Sequence, residues 1–354
     1  MKVVLLAHSR FPVRAPFAGG LESFTWHLTR ELRAHGIEVV LMAGPGSDTT
    51  LGAEELPVHA PQLSDLARAD VSMPPGFQVH ETMAYLHAMR VLAGRDDIDL
   101  IHNNSLHYLP ISLAETVAQP VLTTLHSPPT PWLEPALALN PRAATVAVSR
   151  SVARMWHHVT DAKVIPNGID LRAWPIGDGG SDLVWVGRIV PEKAPHLAAA
   201  VAHATGRALS FIGPVHDRDY FDRHLAPHLD DRVRYIGHLA PGDLQARLAG
   251  SAACLVTPAW DEPYGLVAAE SMACGTPVLA VGRGGLPELV RPPGGCAVAP
   301  AEDDEGTVHR LVEALPRVLA LDRRAVRRHA EKHCSLAVMT ERYVAHYEQL
   351  VAGR

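Results

Sequence analysis

Short apolar runs, separated by turn and helix signals, recur along the whole chain of 354 residues. The first, Val3 to Ala7, leads through Gly19 and Gly20 into a helical stretch that stops near Gly36, before a second run from Glu38 to Ala43. Apolar runs without alternation are typical of parallel strands buried on both faces. The order strand, turn, helix, strand therefore predicts a doubly wound α/β fold.

Chain length bears on the number of domains. A chain of 354 residues exceeds what one hydrophobic core usually fills, so we expect two domains. Pro175 and three glycines between 172 and 181 predict a linker, and the stretch from 44 to 77 predicts a long connection with one short helix. We predict an N-terminal Rossmann-like domain at 1–171, a linker at 172–181, a C-terminal Rossmann-like domain at 182–334 and a final helix at 335–354.

Composition excludes several classes of protein. A net charge of −6 argues against a nucleic-acid binder, because such proteins are normally basic. No apolar stretch reaches 18 residues, and the N-terminus is typical of a first strand rather than a signal peptide, so we expect a cytoplasmic protein. Four cysteines without Cys-x-x-Cys spacing favour unpaired thiols.

One stretch carries a recognisable binding chemistry. The residues from Trp260 to Glu270 follow an apolar run, and Pro263 and Gly275 are typical of a helix start and a helix stop, which predicts a helix from about Tyr264 to Cys274. Backbone N–H groups at a helix start have no partner within the helix, and the macrodipole favours negative charge there. We predict a phosphate site at this start, formed by Gly265, Leu266 and Val267.

Two carboxylates flank the predicted phosphate site. Glu262 precedes the helix, and Glu270 lies about 7 to 8 Å further along the axis, at about 1.5 Å per residue. A carboxylate can accept two hydroxyl groups at once, so Glu270 is suited to a ribose and Glu262 to a sugar. From the residues alone, a capping Glu and a surface Glu remain an equal alternative.

The set Glu262, Pro263, Gly265, Leu266 and Glu270 resembles the signature of glycosyltransferase family 4. Members of this family are retaining, nucleotide-sugar-dependent transferases with the GT-B fold. The resemblance implies two doubly wound Rossmann-like domains that face each other across a cleft, with a final helix that crosses back to the first domain. It also implies an enzyme that transfers a hexose.

Two cations follow the strand predicted at 182–186. Arg188 offers a planar fork and Lys193 a compact charge, so the pair can hold a diphosphate, although either residue alone is typical of a protein surface. The resemblance implies that both bind the leaving diphosphate.

Three residues of the first domain match the family pattern. Gly19 and Gly20 stand where a Gly-Gly pair meets the donor's phosphate and the transferred sugar, but they also suit a plain tight turn. His126 follows a strand and therefore lies at the edge where ligands of α/β sheets bind. The resemblance implies that His126 approaches the sugar, while a histidine satisfied by the backbone is the alternative. Ser127 and two prolines after it depart from the acidic residue or glycine of many relatives.

The implied reaction uses a nucleoside-diphosphate sugar as donor and an unidentified acceptor hydroxyl. The acceptor would enter on the side of the leaving group, since the matched motifs offer no obvious nucleophile for the far face. Arg188, Lys193, His126 and Glu262 would be the catalytic residues. We expect no metal and no cofactor, because the Asp-x-Asp triplets at Asp97 and Asp217 do not follow strands.

Two other functions fit the same architecture. A nucleotide-sugar epimerase would interconvert donors without an acceptor, and a sugar-nucleotide sensor would bind a donor without consuming it. One surface feature also has two interpretations. The basic residues of a late helix form either a solvated face or a contact with anionic lipid; they are Arg323, Arg324, Arg327 and Arg328.

Overall fold

The computed structural model describes residues 1–56, 64–68 and 76–353, and its chain divides into two compact units. Unit 1 contains residues 1–148, 152–165 and 340–354, and unit 2 contains residues 149–151 and 166–339. Residues 57–63 and 69–75 of the predicted long connection lie outside the described residues.

Unit 1 is built on a parallel sheet. Its described strands are β1 Lys2–Ala7, β2 Glu38–Ala43, β3 Ala53–Glu55, β4 Leu100–Asn104, β5 Val121–Leu125, β6 Ala144–Ala147 and β7 Lys163–Val164. They lie in the order β3-β2-β1-β4-β5-β6-β7, and the register pairs Leu5 of β1 with Leu41 of β2 and His102 of β4. The order reverses beside β1, which is the doubly wound arrangement predicted from the sequence.

The helices of unit 1 follow its strands. They are α1 Gly20–Ala34, α2 Asp65–Arg68, α3 Gly76–Ala93, α4 Leu109–Ser112, α5 Leu133–Ala138 and α6 Arg150–Trp156, with 3-10 turns at Thr49–Leu51 and Ala114–Thr116. Helix α3 packs Tyr85 and Met89 against Leu6 of β1, and all three side chains are almost fully buried. The apolar face of α3 thus covers the centre of the sheet.

Unit 2 repeats this construction with six described strands. They are β8 Leu183–Val186, β9 Leu209–Ile212, β10 Val233–Tyr235, β11 Ala253–Val256, β12 Val278–Val281 and β13 Gly295–Val298. Their order is β10-β9-β8-β11-β12-β13, and every pair is parallel. The prediction of two Rossmann-like domains is therefore confirmed, whereas β3 and β13 were not predicted.

The helices of unit 2 are α7 Pro195–Thr205, α8 Arg218–Tyr220, α9 Pro241–Ala249, α10 Leu266–Ala273, α11 Leu286–Leu289, α12 Asp304–Leu319 and α13 Arg323–His333, and α14 Leu336–Ala352 runs into unit 1. Shorter turns are a 3-10 turn at Pro191–Lys193, a π turn at Phe221–Leu225 and a 3-10 turn at Ala226–His228. Trp185 of β8 and Phe211 of β9 lie in a buried apolar core, to which α7 contributes Val201 and α12 contributes Leu315. In the described part of the chain, no helix is both long and apolar enough to cross a membrane.

Within unit 1, the end of α14 is tied to the sheet by buried polar groups. The Tyr347 hydroxyl lies 2.6 Å from Nδ1 of His102, and Nε2 of His102 lies 2.7 Å from the Thr124 hydroxyl. Tyr343 adds a third hydroxyl, 3.1 Å from that of Thr124. Burial holds the pKa of His102 well below its usual value, so the imidazole stays neutral and the network carries no buried charge.

The basic run of α13 requires a correction. Arg323 donates to the backbone carbonyls of Gly177, Ala249, Ser251 and Cys274, and Arg327 donates to those of Leu171, Trp174 and Ala273. Two of the four arginines are therefore internal, because they satisfy carbonyl groups of the segment around 171–177 and of neighbouring helix ends. The prediction of a solvated or lipid-binding face is therefore wrong for Arg323 and Arg327, whereas Arg324 and Arg328 are exposed as a solvated face requires.

Candidate active site

The loop between β11 and α10 brings together most of the predicted donor residues of unit 2. Gly265 has a φ of +100° and is the N-cap of α10, so the helix begins at Leu266 and not at Tyr264 as predicted. A left-handed residue cannot continue a helix, and this overrides the start signal of Pro263. A Cβ at Gly265 would also lie 2.6 Å from Cδ2 of Leu286, so this conformation requires glycine.

The start of α10 is open. Among the described residues, no group accepts a hydrogen bond from the backbone N–H of Gly265, Leu266 or Val267, and α10 has neither a side-chain cap nor an acid in its first turn. Unpaired N–H groups at the positive end of the helix dipole favour an anion. The geometry thus agrees with the phosphate chemistry predicted for these three residues.

Glu262 is held by two donors on one oxygen atom. The Lys193 ammonium lies 2.5 Å from Oε2, and the indole N–H of Trp260 donates to the same oxygen over 3.1 Å. Only 14% of the Glu262 side chain and 23% of the Lys193 side chain are exposed. The sequence predicted Lys193 and Glu262 as separate contacts of a donor, whereas the structure joins them in an ion pair.

Arg188 lies at the carboxyl end of β8, in the same segment as Lys193. Its guanidinium is 3.3 Å from Oε1 of Glu192, and 41% of its side chain is exposed. The N–H of Ala259 donates to the carbonyl of Glu192 over 2.9 Å, which joins this segment to the loop that carries Trp260 and Glu262. Both predicted cations are therefore placed on connected loops, and each is paired with a carboxylate.

Glu270 lies on α10 beyond its first turn. Burial raises the pKa of its carboxyl to about 7, although part of the side chain remains accessible. In the described chain no group donates a hydrogen bond to this carboxylate, so nothing opposes the rise in pKa that burial causes. A carboxylate with unused acceptor capacity is suited to the hydroxyl groups of a ligand.

In unit 1, the first turn of α1, next to Gly19 and Gly20, contains a residue that sequence analysis missed. Glu22, which is 3% exposed, contacts His8 through Oε1, and its Oε2 lies 3.1 Å from the position of a Cβ on Gly19. Burial by itself raises the pKa of Glu22, but His8 and the backbone N–H groups of Glu22 and Gly19 stabilise the carboxylate and lower the pKa below its usual value. The spacing of three residues after the N-cap is that of a capping box and could have indicated this role.

His126 lies directly after β5, as predicted. Its Nε2–H donates to Oδ1 of Asn104 over 2.8 Å, and its ring packs edge-on against Phe24 at a centroid distance of 4.8 Å. Burial, with a smaller contribution from His8, lowers the pKa of His126 to about 3. The imidazole is therefore neutral near pH 7 and can position a ligand by hydrogen bonding rather than by charge.

The carboxylates of both Asp-x-Asp triplets have protein partners. Asp217 accepts from the N–H of Tyr220 at the start of α8, and Asp219 pairs with Arg223 at 2.7 Å. Asp97 pairs with Lys2 and Arg95. Within the described residues, no group of three potential metal ligands was found.

Comparison with protein families identifies both units. A family described as Glycosyltransferase Family 4 matches residues 18–173, and one described as Glycosyl transferases group 1 matches residues 169–332. Together the matches run from the Gly19–Gly20 loop to α13, and they include Arg188, Lys193 and the α10 loop.

Individual relatives align over most of the chain. A glycogen synthase of Mycobacterium tuberculosis is 28% identical over 342 positions, covering 82% of this chain and 80% of the relative. An MMP alpha-(1->4)-mannosyltransferase of Mycolicibacterium hassiacum is 27% identical over 425 positions and covers 99% of both chains. The crystal structure of Anabaena HepE with UDP and glucose has a TM-score of 0.73 at 18% identity, covering 98% of this chain and 99% of that one, and it establishes a shared fold.

Proposed function

Since the chain belongs to glycosyltransferase family 4 and has the GT-B fold, we propose that it is a retaining hexosyltransferase that carries a sugar from a nucleoside diphosphate to an acceptor hydroxyl. The observation that supports this most directly is the open start of α10, with Glu262 on one side and Glu270 further along the helix. This arrangement offers an anion site between two hydroxyl acceptors, which are the parts that a nucleotide sugar requires.

The names of the relatives agree with a hexose donor. One is a glycogen synthase, another a mannosyltransferase, and a protein of the same fold was solved with UDP and glucose. We propose that the donor diphosphate binds the N–H groups of Gly265, Leu266 and Val267, that Glu270 accepts from the ribose, and that Glu262 accepts from the transferred sugar.

Catalysis on this proposal is mainly electrostatic. As the bond between the sugar and the diphosphate breaks, negative charge grows on the departing phosphate, and Arg188 and Lys193 stabilise it. Each cation must first exchange its present carboxylate partner for the phosphate. One preorganised donor of this kind contributes roughly 3 to 4 kcal/mol to transition-state stabilisation.

The stereochemical course follows from which face of the sugar the acceptor approaches. We propose that the acceptor oxygen forms its bond to the anomeric carbon on the side from which the phosphate oxygen departs. The proton of the acceptor hydroxyl passes to that phosphate oxygen, and the configuration is kept. We further propose that Gly19, Gly20 and neutral His126 contact the transferred sugar.

A pair of substitutions tests the proposal. Glu270→Ala should weaken binding of the bare nucleoside diphosphate and of the nucleotide sugar alike. Glu262→Gln should not weaken diphosphate binding, and should strengthen it if anything because Lys193 no longer has to leave a carboxylate. It should nevertheless lower turnover about 100-fold or more, since it removes a charge that orients the sugar and stabilises a cationic transition state. Calorimetry with UDP, GDP and ADP, beside a transfer assay that follows diphosphate release, measures both effects. Normal turnover of Glu262→Gln, or binding lost as in Glu270→Ala, would contradict the proposed orientation of the donor.

Metal independence is a second test. Arg188, Lys193 and the start of α10 supply the countercharge that a divalent ion supplies elsewhere. We therefore expect full transfer activity in EDTA. Complete loss of activity that manganese restores would show that a metal ion, and not these groups, balances the diphosphate charge.

A further inference from the structure

Trp260 contacts both members of the ion pair at the proposed sugar site. Its indole N–H donates to Oε2 of Glu262 over 3.1 Å, and the Lys193 ammonium lies 5.3 Å from the centroid of its ring. Lys193 and Glu262 themselves are 2.5 Å apart. One aromatic side chain therefore holds the carboxylate at its edge and the cation at its face.

The ion pair has to open in the proposed reaction. When Lys193 turns to the diphosphate, Glu262 loses the cation that now balances it, although only 14% of its side chain is exposed. A sheltered carboxylate without donors is unfavourable and free to rotate. The indole N–H is the donor that remains on Oε2 after Lys193 has moved.

We propose that Trp260 is a positioning residue for Glu262, and this proposal rests on the proposed function. The indole keeps the carboxylate in one orientation while Lys193 exchanges Glu262 for the diphosphate. A tryptophan side chain suits this task because its N–H donates but cannot accept, so it holds the carboxylate without accepting a hydrogen bond from the ammonium. Its ring face offers the ammonium a second favourable contact during the exchange.

The chain immediately before Trp260 is fixed, which helps to give the indole a defined position. Ala259 donates to the carbonyl of Glu192 over 2.9 Å, and the Thr257 hydroxyl donates to the carbonyl of Ala194 over 3.0 Å. Both partners lie in the segment that carries Lys193. The indole and the ammonium are therefore held by connected parts of the same unit.

Two substitutions separate the functions of the indole. Trp260→Phe keeps a ring for the ammonium but removes the N–H, so turnover should fall about 10-fold or more. The affinity for UDP, GDP or ADP, whichever binds the parent best, should stay within about twofold of the parent value. Trp260→Leu removes the ring as well and should additionally weaken binding of that diphosphate by about two- to fivefold. Trp132→Phe, at an indole that is 59% exposed in unit 1, is the matched control and should retain parent activity.

A double-mutant cycle decides whether Trp260 acts through Glu262. In the Glu262→Gln background, Trp260→Phe should cause little further loss of turnover, whereas a general structural defect would multiply the two losses. Parent-like turnover of Trp260→Phe, multiplied losses, or diphosphate affinity lost as strongly as turnover would each overturn the proposal. If the parent transfers no sugar from any nucleotide sugar, the proposed function fails and this proposal fails with it. An active parent with a normal Trp260→Phe variant overturns the role of Trp260 alone.

Discussion

Helices α1 and α10 both have a glycine as N-cap, in a loop that follows a parallel strand, but their first turns differ in charge. Helix α1 carries Glu22 in its first turn, where the carboxylate contacts His8 and lies against Gly19. Helix α10 has no acid in its first turn, and its acid, Glu270, comes later. The positive end of α1 is therefore balanced by the protein, and that of α10 is left for a ligand.

The two carboxyl groups show the same difference in their acidity. Glu22 is almost fully buried, yet His8 and nearby N–H groups lower its pKa. Burial raises the pKa of Glu270 to about 7 because no donor compensates it. A buried acid that is satisfied in the free protein has a structural role, whereas an unsatisfied one retains hydroxyl-binding capacity. The contrast is consistent with the proposed function, in which phosphate binds at α10 and a neutral group, such as a sugar hydroxyl, binds at α1.

Alanine substitutions at the two N-cap glycines, Gly19 and Gly265, should give the largest difference in diphosphate affinity. Gly265→Ala places a side chain at a φ of +100° and 2.6 Å from Leu286, so we expect diphosphate affinity to fall about 100-fold, or about 2.7 kcal/mol. Gly19→Ala meets only Glu22 Oε2 at 3.1 Å, with extended backbone that any residue adopts, and should change diphosphate affinity less than about threefold. Calorimetry with whichever of UDP, GDP and ADP binds the parent best measures both. Equal losses would mean that both helix starts bind phosphate.

The sequence could bring Glu262, Gly265 and Glu270 together in one predicted site because their spacing is local. Glu262, Gly265 and Glu270 lie on one loop and one helix, so their order in the chain determines their order along a ligand. The Lys193–Glu262 ion pair joins residues 69 positions apart and has no such local pattern. The contacts of Arg323 with Gly177 and Ser251 also join residues far apart in the chain, so no local sequence pattern indicates them.

The missed strands have a different cause. Strand β3 consists of Ala53, Glu54 and Glu55 at the sheet edge, so it lacks the apolar run that indicates a buried strand. Strand β13 begins at Gly295 after a Pro- and Gly-rich turn, which is typical of a loop. Both strands form because a neighbouring strand offers a free edge for pairing. The residues of β3 and β13 do not themselves indicate that such an edge is nearby.

Glu270→Gln should sharpen the contrast between the two acids, with a smaller effect. The pKa of Glu270 is about 7 in the folded protein, above the ordinary value for a glutamate. The neutral carboxyl therefore stabilises the folded state fully at pH values below that ordinary value. This stabilisation is lost as the pH rises through about 7. The glutamine does not ionise, so the variant should be more stable than the parent at pH 8, by on the order of 2 kcal/mol, and similar to it at about pH 4, below the ordinary glutamate pKa. Thermal unfolding at both values measures this. A nucleotide sugar should nevertheless bind the variant more weakly, because one hydroxyl acceptor is lost.

Glu22→Gln should act in the opposite direction and give the smallest effect. The lowered pKa of Glu22 means that its carboxylate stabilises the folded state above the ordinary glutamate pKa, and that this contribution is lost as the pH falls through the lower folded value. The variant loses the charge that balances the start of α1 and pairs with His8, so it should be less stable at pH 7, by about 1 kcal/mol. The difference from the parent should shrink as the pH falls below the ordinary glutamate pKa towards the lower pKa of the folded protein, where the parent carboxylate also becomes neutral. Thermal unfolding of both proteins between pH 3.5 and pH 7 gives the comparison. A variant that is more stable than the parent at pH 7, as expected for Glu270→Gln at pH 8, would show that Glu22 is an unsatisfied acid and that the start of α1 is also open to ligands.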